Sequence, residues 1–157
     1  MAEVKTNAMR ILDKNKISFQ MHSYEAKDGQ IDGLAVAKKL HQDPERVFKT
    51  IVTRSPKGEI FVFVIPVNRE LNLKKCAKSV GAKAIELIKI NEINKITGYI
   101  RGGCSPIGMK KQYPTVIDRS AQEKDTIIFS GGRIGTQIEL EPAVLADIIG
   151  AQFADIT

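Results

Sequence analysis

The run Ile60-Phe61-Val62-Phe63-Val64-Ile65 constrains this chain more than any other stretch. Successive side chains of a strand point to opposite faces, so a strand that is apolar at every position must be covered on both sides. The run is too short for a buried helix, rich in β-branched and aromatic residues, and ended by Pro66. Just before it, Val47 to Arg54 is β-branched and apolar, and Ser55-Pro56-Lys57-Gly58 reads as the connection of a hairpin. A central strand, its hairpin partner and elements packed on both faces are therefore the minimum this fold must contain.

The rest of the chain supplies that cover. Helical spacing places helices over Asn7–Lys16, Leu34–Leu40, Leu73–Val80 closed by Gly81, and Pro142–Ile149 closed by Gly150, with a helical turn over Asn91–Ile96. Alternation from Phe19 to Tyr24 predicts a strand, and further strands are expected at Thr115–Ile117, Thr126–Phe129, Thr136–Leu140 and Phe153–Ile156. Ile85–Ile88 suits either a short strand or the lead-in to a helix. Strands that pair first by a hairpin and later follow in close succession indicate an α+β fold with a mixed, mainly antiparallel sheet, curled into a barrel-like core with flanking helices. No repeat, linker or low-complexity run divides the 157 residues, so a single domain spanning 1–157 is expected.

No apolar run is long enough to cross a membrane. Met1 to Asn7 lacks the basic and apolar regions of a secretory leader, which points to the cytoplasm. The two cysteines, Cys76 and Cys104, make neither a disulfide framework nor a metal-ligand pattern, and no metal or cofactor is expected. The net charge of +6 suits an anionic partner, with nucleic acid the commonest large one, or else a solvated lysine face.

Two glycine-rich loops carry the chemistry: Tyr99-Ile100-Arg101-Gly102-Gly103-Cys104-Ser105-Pro106-Ile107-Gly108 and Ser130-Gly131-Gly132-Arg133-Ile134-Gly135. Glycines bring backbone N–H groups against a ligand, although both loops also suit tight turns between strands. Lys49 shares a strand face with Val47 and Ile51, so it either snorkels from the strand or sits in a partly enclosed site where it meets a phosphate or carbonyl. Cys104 reads as a nucleophile with His22 or His41 as its base, or as a small apolar core residue. Neither Ser105 nor Ser130 lies in a hydrolase elbow; their hydroxyls orient a ligand or satisfy the backbone of a turn.

In order along nearly the whole chain, Lys5-Thr6-Asn7, Phe19 to Glu25, Val47-Phe48-Lys49-Thr50, Gly102 to Gly108, Ser130-Gly131-Gly132, Ile138-Glu139-Leu140 and Phe153 to Ile156 resemble the YbaK family. These are free-standing relatives of the editing domain of bacterial prolyl-tRNA synthetase. The resemblance implies removal of cysteine from mischarged Cys-tRNA(Pro), and from Cys-tRNA(Cys), by attack of the substrate's own thiol on its ester, with no protein nucleophile. A different small amino acid, or a tRNA-binding module without catalysis, is the alternative. It also implies catalytic roles for Lys49, Gly102 and Gly103, with loop amides meeting the oxyanion. Tyr24, Thr50, Ser105, Ser130, Gly131, Gly132 and Gln137 would bind substrate. The implied partners are the acceptor end of aminoacyl-tRNA and, transiently, prolyl-tRNA synthetase; a monomer is the default expectation. Two positions depart from the family pattern: Gln137 stands where aspartate is common, and Cys104 where an aliphatic residue is usual.

Overall fold

The computed structural model describes residues 5–157. Met1–Val4, part of the segment read for a leader, lie outside the described residues. The described residues form five α-helices, α1 (Asn7–Lys14), α2 (Gly33–Lys39), α3 (Leu73–Val80), α4 (Ile93–Thr97) and α5 (Pro142–Ile149). The strands are β1 (Gln20–Ser23), β2 (Phe48–Arg54), β3 (Ile60–Pro66), β4 (Glu86–Leu87), β5 (Thr115–Asp118), β6 (Ile127–Ser130), β7 (Thr136–Leu140) and β8 (Gln152–Ala154). Short 3-10 turns occupy Ile90–Glu92 and Arg119–Glu123.

The strands make a five-stranded sheet in the order β4-β2-β3-β5-β8 and a three-stranded sheet in the order β1-β7-β6. β3 is central, antiparallel to β2 and parallel to β5, as its all-apolar sequence requires. On one face Phe63 and Ile65 pack with Cys76 and Ala77 of α3, Val116 and Ile156. On the other, Val64 packs with Leu12 of α1, Phe129 and Leu145 of α5. Burying each such side chain contributes about 1.5–3 kcal/mol, so this two-sided cover is the main source of stability around β3.

Pairing is antiparallel for β1–β7, β2–β3, β2–β4 and β6–β7, and parallel for β3–β5 and β5–β8, a mixed and mainly antiparallel arrangement. The expected barrel-like closure is not found: among the described residues no ring of strands closes, and the sheets meet at a single bridge between Val47 and Ile128. The Ile128 amide donates to Arg46 O at 2.8 Å across this junction.

Two helix ends differ from the sequence reading for one reason. α1 stops at Lys14 rather than Lys16, because Lys16 adopts φ +59° and the Ile17 amide turns back to Leu12 O at 2.9 Å. At α2, His41 takes φ +53°, its amide donates to Lys38 O, and the Gln42 amide donates to Ala37 O at 2.8 Å. Both are Schellman closures with a non-glycine residue in the left-handed position. The turn over Arg119–Glu123 gives no apolar period and is held instead by Asp118, whose carboxylate accepts from the Ser120 amide and hydroxyl and from the Ile156 amide.

Candidate active site

The site grows out of an incomplete strand edge. β3 covers one edge of β2 along its whole length. On the other edge β4 reaches only Thr53 and Arg54, and β6 touches only at Val47. Between these two contacts the backbone of β2 from Phe48 to Ile51 faces a cleft of about 470 Å³. That is ample for a small organic ligand or the end of a larger one. β6 and β7 contribute Phe129, Ser130, Thr136 and Gln137 to its wall, the segment after β1 contributes Tyr24, and the loop before β5 contributes Arg101, Gly102 and Cys104.

Lys49 lines this cleft and is half-buried, between Val47 and Ile51 as the strand period requires. Its ammonium makes no hydrogen bond or ion pair with a described residue, whereas Lys39, Arg46, Arg54, Arg69 and Lys75 are all engaged by carboxylates. Arg101 adds a second cation at the wall. The acidic lining residue Asp32 is committed elsewhere, accepting from the Ala35 amide to cap α2. The cleft thus offers net positive charge to an anionic ligand. Thr50 adds a hydroxyl that is buried and has no hydrogen-bond partner, an unmet cost that a ligand atom would relieve. Beyond Thr50, Ile51 and Cys104 a smaller cavity of about 190 Å³ is closed by Val52, Leu87, Ile88 and Ile93.

The glycine loops divide in function. Ile100 to Gly103 forms a turn in which Gly102 takes φ +85° and the Gly103 amide donates to Ile100 O at 2.9 Å. A left-handed third residue is what this turn needs, and Gly102 also lets Ile31 approach to where a Cβ would stand only 2.8 Å from its Cδ1. Gly103 allows the loop to lie against its counterpart, since a Cβ there would come within 3.0 Å of the Ile134 nitrogen.

Of the residues singled out in the sequence, Tyr24, Lys49, Thr50, Gly102, Ser130 and Gln137 come together on the cleft wall. Gly103, Ser105, Gly131 and Gly132, also singled out in the sequence, do not line it. Their polar groups are already used. The Gly103 amide serves its turn, the buried Ser105 hydroxyl accepts from the Ile107 amide at 3.2 Å, the Gly131 amide donates to Thr136 O, and the Gly132 amide to Ser130 Oγ. Among these glycines, the Gly102 amide is the one that makes no hydrogen bond with a described residue.

The cysteine–histidine pair does not assemble either. His22 is held by Glu139, Nε2 to Oε1 2.7 Å, and His41 is exposed at the end of α2; neither lines the cleft. Burial pushes the Cys104 thiol up to about 11, against a smaller opposing effect of Thr97, so it is protonated at neutral pH. No group of three or more metal-ligating side chains occurs among the described residues. Sequence reasoning missed Arg101 and Ile31. Arg101 was visible as the charged residue of the glycine loop, but Ile31 lies in a segment with no pattern of its own.

A family model for the aminoacyl-tRNA editing domain matches residues 33–148, which include every strand and loop of the cleft except Tyr24 and the α2 approach. The chain belongs to the aminoacyl-tRNA editing domain family. Within that family it is 44% identical, over 98% of its length and 93% of the relative's, to an Enterococcus faecalis protein, EbsC, described as a proposed Cys-tRNA(Pro)/Cys-tRNA(Cys) deacylase. It is 28% identical over 102 residues to a proline–tRNA ligase of Brachyspira hyodysenteriae, covering 65% of this chain and 18% of that one. A crystal structure of a proposed trans-editing enzyme for prolyl tRNA synthetase superposes with a TM-score of 0.84 at 21% identity, covering 99% of both chains. That likeness shows the editing-domain fold.

Proposed function

We propose that this editing domain is a trans-editing deacylase that removes cysteine from mischarged Cys-tRNA(Pro), and from Cys-tRNA(Cys). The observation that carries the reading is the unpartnered Lys49 on the open edge of β2, within a cationic cleft sized for the aminoacylated end of a tRNA. The name of the Enterococcus faecalis relative supports the same substrate. Cysteine and proline are close in size, and a synthetic site separates such side chains poorly, so a second site restores accuracy.

The chemistry needs no protein nucleophile, which suits a site where Cys104 is protonated and no histidine lines the wall. The substrate's thiol sulfur attacks its own ester carbonyl carbon. A C–S bond forms, the C–O bond to the ribose breaks, and the thiol proton passes to the departing ribose oxygen. The products are cysteine thiolactone and uncharged tRNA. The protein contributes orientation. Lys49 holds the terminal nucleotide through its phosphate or ribose, Tyr24 and Ser130 bound the aminoacyl group, and Thr50 gains the partner it lacks. The Gly102 amide faces the developing oxyanion. The acting form is a monomer in the cytoplasm, alone on the acceptor end or beside prolyl-tRNA synthetase.

The test is deacylation of a panel of aminoacyl-tRNAs under one set of conditions. Cys-tRNA(Pro) and Cys-tRNA(Cys) are cleared, whereas Ser-tRNA(Pro), which differs by one atom, is not. Equal rates on serine and cysteine would overturn the thiol mechanism, and clearance of alanine alone would reassign the substrate.

A further inference from the structure

Gln137 lies on the cleft wall, yet its side-chain amide is not free to turn. Gln42 Nε2 donates to Gln137 Oε1 at 2.9 Å, and Gln137 Nε2 donates to Gln42 Oε1 at 3.2 Å. A glutamine amide has two N–H groups and two acceptor lone pairs. The reciprocal pair uses one of each on Gln137 and leaves one of each on opposite flanks of the amide, so it holds the plane and place of a neutral amide at the cleft wall. Gln137 itself is only 4% exposed. Gln42 does not line the cleft.

What brings Gln42 there is the closure of α2. The left-handed backbone at His41, a conformation that costs a non-glycine residue energy, reverses the chain so that the Gln42 amide returns to Ala37 O. The Gln42 side chain is thereby directed at β7, 95 residues along the sequence. The adjacent wall residue Ser130 is the cross-strand partner of Gln137, so an unpinned Gln137 would also disturb the Ser130 side of the cleft.

We infer that Gln42 is a positioning residue for this site: its amide holds the plane and place of the Gln137 amide where that residue meets the aminoacyl group. The inference rests on the deacylase reading above. Because the tRNA body supplies most ground-state binding and Gln137 meets only its aminoacyl end, the effect falls on kcat.

A double-mutant cycle tests it, with kcat, KM and melting temperature measured for Gln42→Leu, Gln137→Leu and the double variant on Cys-tRNA(Pro). Gln42→Leu lowers kcat about tenfold with KM unchanged, the scale of one lost hydrogen-bonded contact. In the Gln137→Leu background the same change costs less than about twofold, because its effect passes through Gln137. Gln42→Asn, too short to reach Gln137, behaves like Gln42→Leu and serves if the leucine variant does not fold. Equal losses in both backgrounds, or no loss in either, would overturn the inference. A parent protein inactive on every aminoacyl-tRNA would overturn the deacylase reading, and this inference with it.

Discussion

Cys104 stands at the cleft wall where a nucleophile would stand, and its surroundings hold it as a thiol. Burial pushes its titration up to about 11, and burial likewise pushes Cys76 to about 11. The reactive species is the thiolate, so alkylation of the native protein near pH 8 is much slower than that of free cysteine and accelerates only towards pH 10–11. Mass spectrometry of iodoacetamide-treated protein checks this; rapid labelling of Cys104 at neutral pH would contradict it. Cys104→Val, close in size, retains activity within about threefold, since removing a protonated, partly buried thiol deletes no step of the proposed reaction. Lys49 has the opposite profile. It is a half-buried cation with no carboxylate partner among the described residues, so its replacement breaks no structural ion pair and, under the proposed function, removes a contact to substrate.

The elements that shape the cleft are two glycine loops pressed together and one helix end under strain. Gly103→Ala places a methyl group 3.0 Å from the Ile134 nitrogen, with backbone rather than a flexible side chain in the way. It therefore destabilises by about 1–3 kcal/mol and lowers activity by splaying the loops. A denaturant titration beside a deacylation assay measures both, and an alanine variant of parental stability would contradict this packing. His41→Gly works in the other direction. His41 is exposed and left-handed, so glycine relieves about 1 kcal/mol of strain and raises the melting temperature while leaving activity intact. A drop in melting temperature would show that the histidine side chain contributes more than its backbone costs.

Much of this element-level order was legible in the sequence because it obeys short periods. The two-sided run of β3, the alternation that turns Lys49 inward beside Val47 and Ile51, and the helices closed by Gly81 and Gly150 all follow from local spacing. The resemblance to a known family then tied those elements to editing. What local spacing cannot carry is a meeting of distant segments. The open edge of β2 exists because β4 is two residues long and β6 touches only once, and the Gln42–Gln137 pair depends on a backbone reversal at a residue that does not favour it. The Gly103 amide looked free for an oxyanion until the turn to Ile100 claimed it.

For the whole molecule, the +6 charge and the cationic cleft belong to one account. Under the proposed function the protein grips tRNA through its phosphates, and counterion release makes such binding strongly salt-dependent. KM for Cys-tRNA(Pro) is expected to rise about tenfold or more between about 50 and about 200 mM salt while kcat changes little. A flat KM would mean that contacts other than phosphate dominate. The central claim is that the cleft on the open edge of β2 is where the ester is cleaved, with Lys49 as its anchoring cation. The most direct measurement is single-turnover deacylation of Cys-tRNA(Pro) by Lys49→Ala, alongside its melting curve. The account predicts a loss of about 10²-fold or more with an unchanged melting temperature; deacylation at the parental rate by the folded variant would contradict it.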